Sequence, residues 1–429
     1  MRVRWLLIFW VFTISAISYL DRVNISIAGR FIQQEFHITD LELGPVFSAF
    51  LVGYALLQAP AGRLADRFGP RRILLFGTLW WGVFTTLTAS ISAGMAGVLA
   101  ILLVVRFSLG AGEAVLYPAS NRLVAAWIPT EERGLANGLI FAGVGVGAGV
   151  TPPLVTYIVL TYGWRASFWI SAAIGLGAGA IWYWIARDRP EEHPWVTREE
   201  MTLIERGLPE PPAELEIGKA LPWSTILKSK EVLAIAASYF TYGYAAWIFF
   251  AWFFIYLSRV RGLDLKSSSY YSMLPFIAMA VGSTIGGIAS DRLTHRYGKR
   301  VGRCGVAIAG IALAAIFIAL GTQVSSARLA SVVLAGGAGA LYLSQSSFWS
   351  VTADMGGASA GSVSGIMNMG GQIGGIVTAS LTPLIAHAFS WTASFLVAAA
   401  LCAAGSLLWL MVDPTVELKH QTPASPKVS

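Results

Sequence analysis

The stretch Gly62-Arg-Leu-Ala-Asp66-Arg67-Phe-Gly69-Pro-Arg71-Arg72 closes one apolar run, and Gly287-Ile-Ala-Ser-Asp291-Arg292 through Tyr297-Gly298-Lys299-Arg300 closes another far down the chain. In each, glycine permits a tight turn between helices, the aspartate can accept from a neighbouring helix N-terminus, and the cations suit a headgroup layer. Finding the turn twice, at matching places, implies an internal repeat and a chain built as two related halves.

Composition fits helices in a bilayer. Hydrophobic residues make up 55% of the chain and charged residues 12%, against about 25% charged in an average soluble domain. Apolar runs near the roughly 20 residues needed to span a bilayer recur along almost the whole length. Period-two alternation is absent, which excludes a β-barrel. The formal charge of +7 is spread over short loops rather than gathered on one face, so it reads as a topology signal and not as a nucleic-acid footprint. Cys304 and Cys402 lie in or beside apolar runs and read as packing residues. The N-terminal Met1-Arg-Val-Arg4 and its apolar run lack a small-residue cleavage site and read as a retained first helix.

The runs predict an all-α membrane protein of twelve spanning helices, near 5–28, 42–64, 72–92, 96–118, 134–160, 165–186, 232–258, 268–290, 302–322, 328–352, 361–387 and 391–412. The expected organisation is a six-helix bundle over 1–186, a polar central loop over 187–231 carrying Arg198-Glu-Glu200 and Pro209-Glu-Pro-Pro212, a second bundle over 232–412 and a tail over 413–429. With the N-terminus inside, the loops after even-numbered helices hold Arg63, Arg67, Arg71, Arg72, Arg122, Arg133, Arg292, Arg296, Lys299, Arg300 and Arg303, whereas the opposite loops hold few cations. By the positive-inside rule both termini and the central loop are cytoplasmic.

Inside the first run stands Tyr19-Leu-Asp21-Arg22-Val-Asn24. A charge at bilayer depth costs roughly 2.5–3.5 kcal/mol on insertion scales, so it persists where it faces a protein interior or wet cavity. The fourth run adds Arg106 and Glu113, seven apart and thus two turns apart on one face, too far to pair with each other. Asp21, Glu113 and Arg106 are the expected coupling group, and a static ion network would use the same residues. Arg22 is the expected anchor for an anionic substrate, because its planar fork matches a carboxylate. Tyr19, one turn away, and Tyr54 in the second run are candidate hydroxyl donors. In the second half, charges vanish from the helices. Gln345, Ser346, Ser347 and Trp349 in the tenth run, with Asn368 and Gln372 in the eleventh, are expected to complete the binding site, unless they only hold helices together. Tyr242, Tyr244, Trp247 and Phe250 either wall a cavity or face lipid, and Gly143, Gly145, Gly147 and Gly149 are packing positions.

Taken with these residues, the repeated turn resembles the signature loop of the major facilitator superfamily, and the likeness extends over about residues 4–412. Within that superfamily the chain is similar to the anion:cation symporters on Tyr19-Leu-Asp21-Arg22, on Arg106 with Gly112-Glu113 and Tyr117-Pro118, on Arg187-Asp-Arg-Pro-Glu-Glu-His-Pro194, and on Ser364-Gly-Ile-Met-Asn368-Met-Gly-Gly-Gln372. The resemblance implies two pseudosymmetric bundles, alternating access, and import of an organic anion such as a sugar acid with protons as the coupling ion. It implies the cell inner membrane, with Gly62, Asp66, Arg67, Gly69, Arg71, Asp291 and Arg292 as the conformational motif. No enzyme activity, metal or other cofactor, or nucleic-acid partner is expected, and a monomer is expected. A drug-type proton exporter and a transporter-like sensor without flux remain as alternatives.

Overall fold

The computed structural model describes residues 2–38, 40–208, 221–253 and 256–418; Pro209-Glu-Pro-Pro212 and the tail beyond 418 lie outside them. The described residues fold into twelve membrane-crossing segments. Ten stretches are long and apolar enough to cross a membrane, one of which, Ala327–Ala388, contains two successive spans. Asp40–Phe68 packs among them as the remaining, second span.

The helices outrun the apolar runs that announce them. The first covers Val3–Phe36, the second Asp40–Phe68 and the eighth Leu265–Tyr297. Backbone hydrogen bonding does not stop where hydrophobicity does, so polar end turns stay helical beyond the hydrocarbon layer. Real stops are chemical. Gly69 and Gly298, at φ 85° and 84°, end the second and eighth spans in a conformation costly for any residue with a Cβ, and Pro70 then starts the third helix at N1. Side chains such as Leu160, Leu384 and Leu407 stand exposed on the outside, as a lipid-facing surface requires.

The fourth span of each half is interrupted. In the first half, Val98–Glu113 is followed after a two-residue turn by Leu116–Trp127. Pro118 has no N–H to offer Ala114, which accounts for the break. In the second half, the tenth span divides into Ala327–Leu343 and Gln345–Gly356 at Ser344. Interrupted helices at matching places are where carriers expose polar groups at mid-membrane depth.

The halves meet along the second and eleventh spans and along the fifth and eighth, and at one end they are latched. Asp66 Oδ1 accepts from Gly361 N (2.9 Å), and its Oδ2 accepts from Ser362 N (2.7 Å) and Ser362 Oγ (2.5 Å). Asp291 accepts from Gly134 N (2.8 Å) and Leu135 N (2.6 Å). Each signature aspartate thus caps a helix of the opposite half, with charge-assisted bonds at a positive helix end. Close approach is possible because Gly62 faces Gly361 and Gly287 faces Gly134 with no room for a side chain. Arg71 stays in its own half, donating to Tyr183 O (3.0 and 2.9 Å), while Arg67 and Arg292 are exposed.

A buried ion cluster reinforces the latch. Arg133 Nη1 meets Asp354 Oδ1 at 2.5 Å, and Arg303 bridges Asp291 (2.7 Å) and the Thr130 carbonyl (2.5 Å). Asp354 lies in the tenth helix and Glu231 in the first turn of the seventh, so the expectation that charges vanish from the second-half helices fails at these two buried carboxylates. The central segment is not all loop. Thr197 caps a helix over Arg198–Gly207, and Glu200 accepts from the N–H groups of Val3 and Arg4 at 3.0 and 3.1 Å, fastening the segment to the start of the first span.

Candidate functional site

Between the halves lies a cavity of about 40 Å³. Arg22 enters it from the first span. Its Nε donates to Glu113 Oε2 at 2.8 Å, and its Nη2 has no hydrogen-bond partner. Rings surround the guanidinium: Tyr54 at 4.3 Å, Tyr19 at 4.8 Å and Phe50 at 5.4 Å from Cζ. Such stacking keeps a cation in a dry site without neutralising it. Arg106 lies 5.0 Å from the centroid of the same Phe50 ring, so both guanidinium groups stand against one phenyl ring.

Of the expected coupling group and anchor, Arg22 alone lines the cavity. Asp21, Glu113 and Arg106 are buried behind the wall. Successive residues on a helix point about 100° apart, so Asp21 and Arg22 cannot share a face, whereas Tyr19 and Arg22, three apart, do. Asp21 has both carboxylate oxygens buried without a hydrogen-bond partner, as are Nε and Nη1 of Arg106. Glu113 draws its counter-charge from the first helix, joining the first and fourth spans through one ion pair.

The second half contributes amides and aromatic rings. Asn368 and Gln372 line the cavity one turn apart. Asn368 Nδ2 donates across the halves to Gln58 Oε1 (2.8 Å), and Gln372 Nε2 reaches Asn368 Oδ1 at 3.5 Å. Ser346 and Ser347 are not in the wall. The break at Ser344 presents Gln345 instead, and the next two residues, turned away by one and two steps of helix, are buried in packing. Trp349 lies one layer behind, its ring 5.0 Å from Phe141 and 5.7 Å from Tyr117, and its Nε1 donates to the Tyr239 hydroxyl (3.3 Å). Tyr239 also accepts from Gln345 Nε2 (3.0 Å). Of the seventh-span aromatics, Tyr242, Trp247 and Phe250 line the cavity and Tyr244 does not.

Gln345, an expected polar residue of the tenth run, lines the cavity, whereas Tyr117, Tyr239 and Gln58 were not among the expected site residues. The tyrosines gave no usable signal, because an aromatic residue in a membrane helix reads equally as packing.

Two six-helix halves around a buried central cavity, latched at one end and meeting there through pseudosymmetric contacts, define a membrane carrier. The chain belongs to the major facilitator superfamily, whose family model matches residues 11–379 and 360–428. It is 36% identical over 400 residues to a probable sulfoacetate transporter of Cupriavidus necator, covering 93% of this chain and 91% of that protein. It is 30% identical over 428 residues to the hexuronate transporter of Bacillus subtilis, covering 98% of each. A chloroplastic ascorbate transporter of Arabidopsis thaliana is 31% identical over 95% of this chain and 74% of its own length. The solved structure of a proton:xylose symporter superposes with a TM-score of 0.70 over 96% of this chain and 97% of that one, at 14% identity, and supports the fold. The chain is thus a multi-pass membrane transporter whose relatives carry organic anions.

Proposed function

We propose that this protein imports an organic anion together with protons, by alternating access of the central cavity. The observation that carries the reading is the divided guanidinium of Arg22, with Nε held by Glu113 and Nη2 left unpartnered at the cavity. An arriving carboxylate or sulfonate competes with Glu113 for the same cation. A buried carboxylate that loses its cation takes a proton rather than remain charged. Anion and proton then occupy the site together, and the loaded carrier has no uncompensated charge to move. Asp21, buried without a hydrogen-bond partner, is the second proton acceptor for an anion that brings a second negative charge; with a monoanion it stays ionised as the counter-charge of Arg106. The names of the relatives, which include sulfoacetate, hexuronate and ascorbate transporters, fit an anionic cargo of this kind.

The same reading places the latched end, rich in arginine, in the cytoplasm, with the central segment on that side and the protein in a cell inner membrane as a monomer. Reporter fusions after Arg198 should register cytoplasm and fusions near His37 the outside; the reverse pattern would discard this orientation. Function is tested by uptake of a labelled organic-acid panel into proteoliposomes under an inward proton gradient. Accumulation of at least one anion, abolished when the gradient is collapsed, is the expected result. Flux that ignores the gradient would remove proton coupling, and no flux would remove transport of organic anions.

A further inference from the structure

Among the described residues that line the central cavity, four buried polar atoms have no hydrogen-bond partner, and they divide by half. Arg22 Nη2 and the Tyr54 hydroxyl belong to the first half, with the guanidinium 4.3 Å from the Tyr54 ring. The Tyr242 hydroxyl and Gln372 Oε1 belong to the second.

Tyr242 differs in this from the tyrosines around it. The Tyr117 hydroxyl pairs with Ser15 Oγ at 3.0 Å, and the Tyr239 hydroxyl accepts from Gln345 Nε2 (3.0 Å) and Trp349 Nε1 (3.3 Å). The Tyr242 ring is nonetheless the more firmly held. It stacks on Tyr239 at 4.9 Å with 3° between the planes, and Phe348 and Tyr342 stand 5.6 and 5.8 Å away. Its hydroxyl is thus fixed in place, buried and unused. Gln372 is brought to the same wall by a close helix contact: Gly243 meets the Gly371 carbonyl with no room for a Cβ, and Tyr242 and Gln372 are the chain neighbours of those two glycines.

A buried polar group left unpaired is costly, so such groups persist where the working molecule pairs them. One ligand hydroxyl satisfies both, accepting from Tyr242 while donating to Gln372 Oε1. A second carboxylate has no proton to give the amide oxygen, and among the described residues the second half sends no cation to the wall. The group that fits is neutral.

We propose that Tyr242 is a specificity-determining residue, which with Gln372 reads a neutral hydroxyl of the anion at the end remote from the acid group held by Arg22 and Tyr54. The assignment rests on the organic-anion reading given above and adds to it a second contact point on the other half of the carrier.

The test is a thermal-shift titration of the purified full-length protein in lipid nanodiscs with three matched pairs: isethionate against ethanesulfonate, γ-hydroxybutyrate against butyrate, and gluconate against hexanoate. In at least one pair the hydroxylated member should bind about fivefold tighter or more. Tyr242→Phe should abolish most of that preference by weakening the hydroxylated member while leaving its deoxy partner near its wild-type affinity. Gln372→Met should shrink the same ratio. Tyr54→Phe, acting at the acid end, should weaken both members alike and keep the ratio. A ratio unchanged in folded Tyr242→Phe, or no preference for the hydroxyl in any pair that binds, overturns the assignment and leaves organic-anion transport standing. Absence of binding by all six anions overturns both.

Discussion

Arg22 Nε donates to Glu113 Oε2 at 2.8 Å, and this bond joins the first and fourth spans at the wall of the central cavity. A guanidinium can hold Glu113 with one edge and an incoming anion with another. An ammonium at the same position has no second edge in a fixed plane. Arg22→Lys should therefore weaken anion binding by about tenfold to more than a hundredfold, the loss of a charge-assisted contact. A titration of the folded variant checks it, and wild-type affinity in that variant would assign Arg22 to structure alone.

Gly62 lies so close to the Gly361 carbonyl that a Cβ would overlap it. Gly62→Ala should push the halves apart at the latched end, where overpacking costs about 1–3 kcal/mol. The population closed at that end should fall, and a cysteine placed at the buried Ala353 should react several-fold faster with a reagent supplied from that side. The native Cys304 and Cys402 are buried and give a quiet background. Unchanged labelling would mean that the contact does not set the conformational balance.

Outside the membrane, Arg165 grips Glu35 with two bonds, 2.6 and 2.7 Å, and Trp164 Nε1 adds a third at 2.9 Å. The hydrogen bonds from Arg165 hold the Glu35 carboxyl below its usual range. A depressed folded-state value means stabilisation that is present above the unfolded value and lost as pH falls through the folded one. The pair is partly exposed, so Glu35→Gln should cost no more than about 1 kcal/mol at neutral pH. The gap between wild type and variant in thermal melting should close below about pH 4. A gap that stays constant down the pH range would show that the side chain acts by shape and not by charge.

The duplicated turn made the two-half architecture legible, because its glycines and aspartates serve backbone needs that local sequence states directly. Asp66 was readable as a cap, yet nothing local reveals that the helix it caps belongs to the other half. Asp21 and Arg22 were legible as misplaced charges. Their separation into a buried acid and a cavity-facing base follows from helical geometry, which adjacency in sequence obscures. Ser346 and Ser347 misled because the kink at Ser344 rotates the tenth helix, and a serine gives no warning of a kink. Asp354 lies at the end of an apolar run, where it reads as a loop residue until its partners Arg133 and Arg303 are brought from distant segments.

The most direct test of proton-coupled transport compares two assays on one variant. Glu113→Gln keeps the shape of the protonated acid and removes the proton it would deliver and release. In proteoliposomes, substrate exchange between equal pools should survive, because it asks only that the loaded carrier reorient, while uphill uptake driven by an inward pH gradient should be lost. Gradient-driven accumulation by Glu113→Gln equal to that of wild type would contradict the assignment of Glu113 as the acid that couples proton to anion.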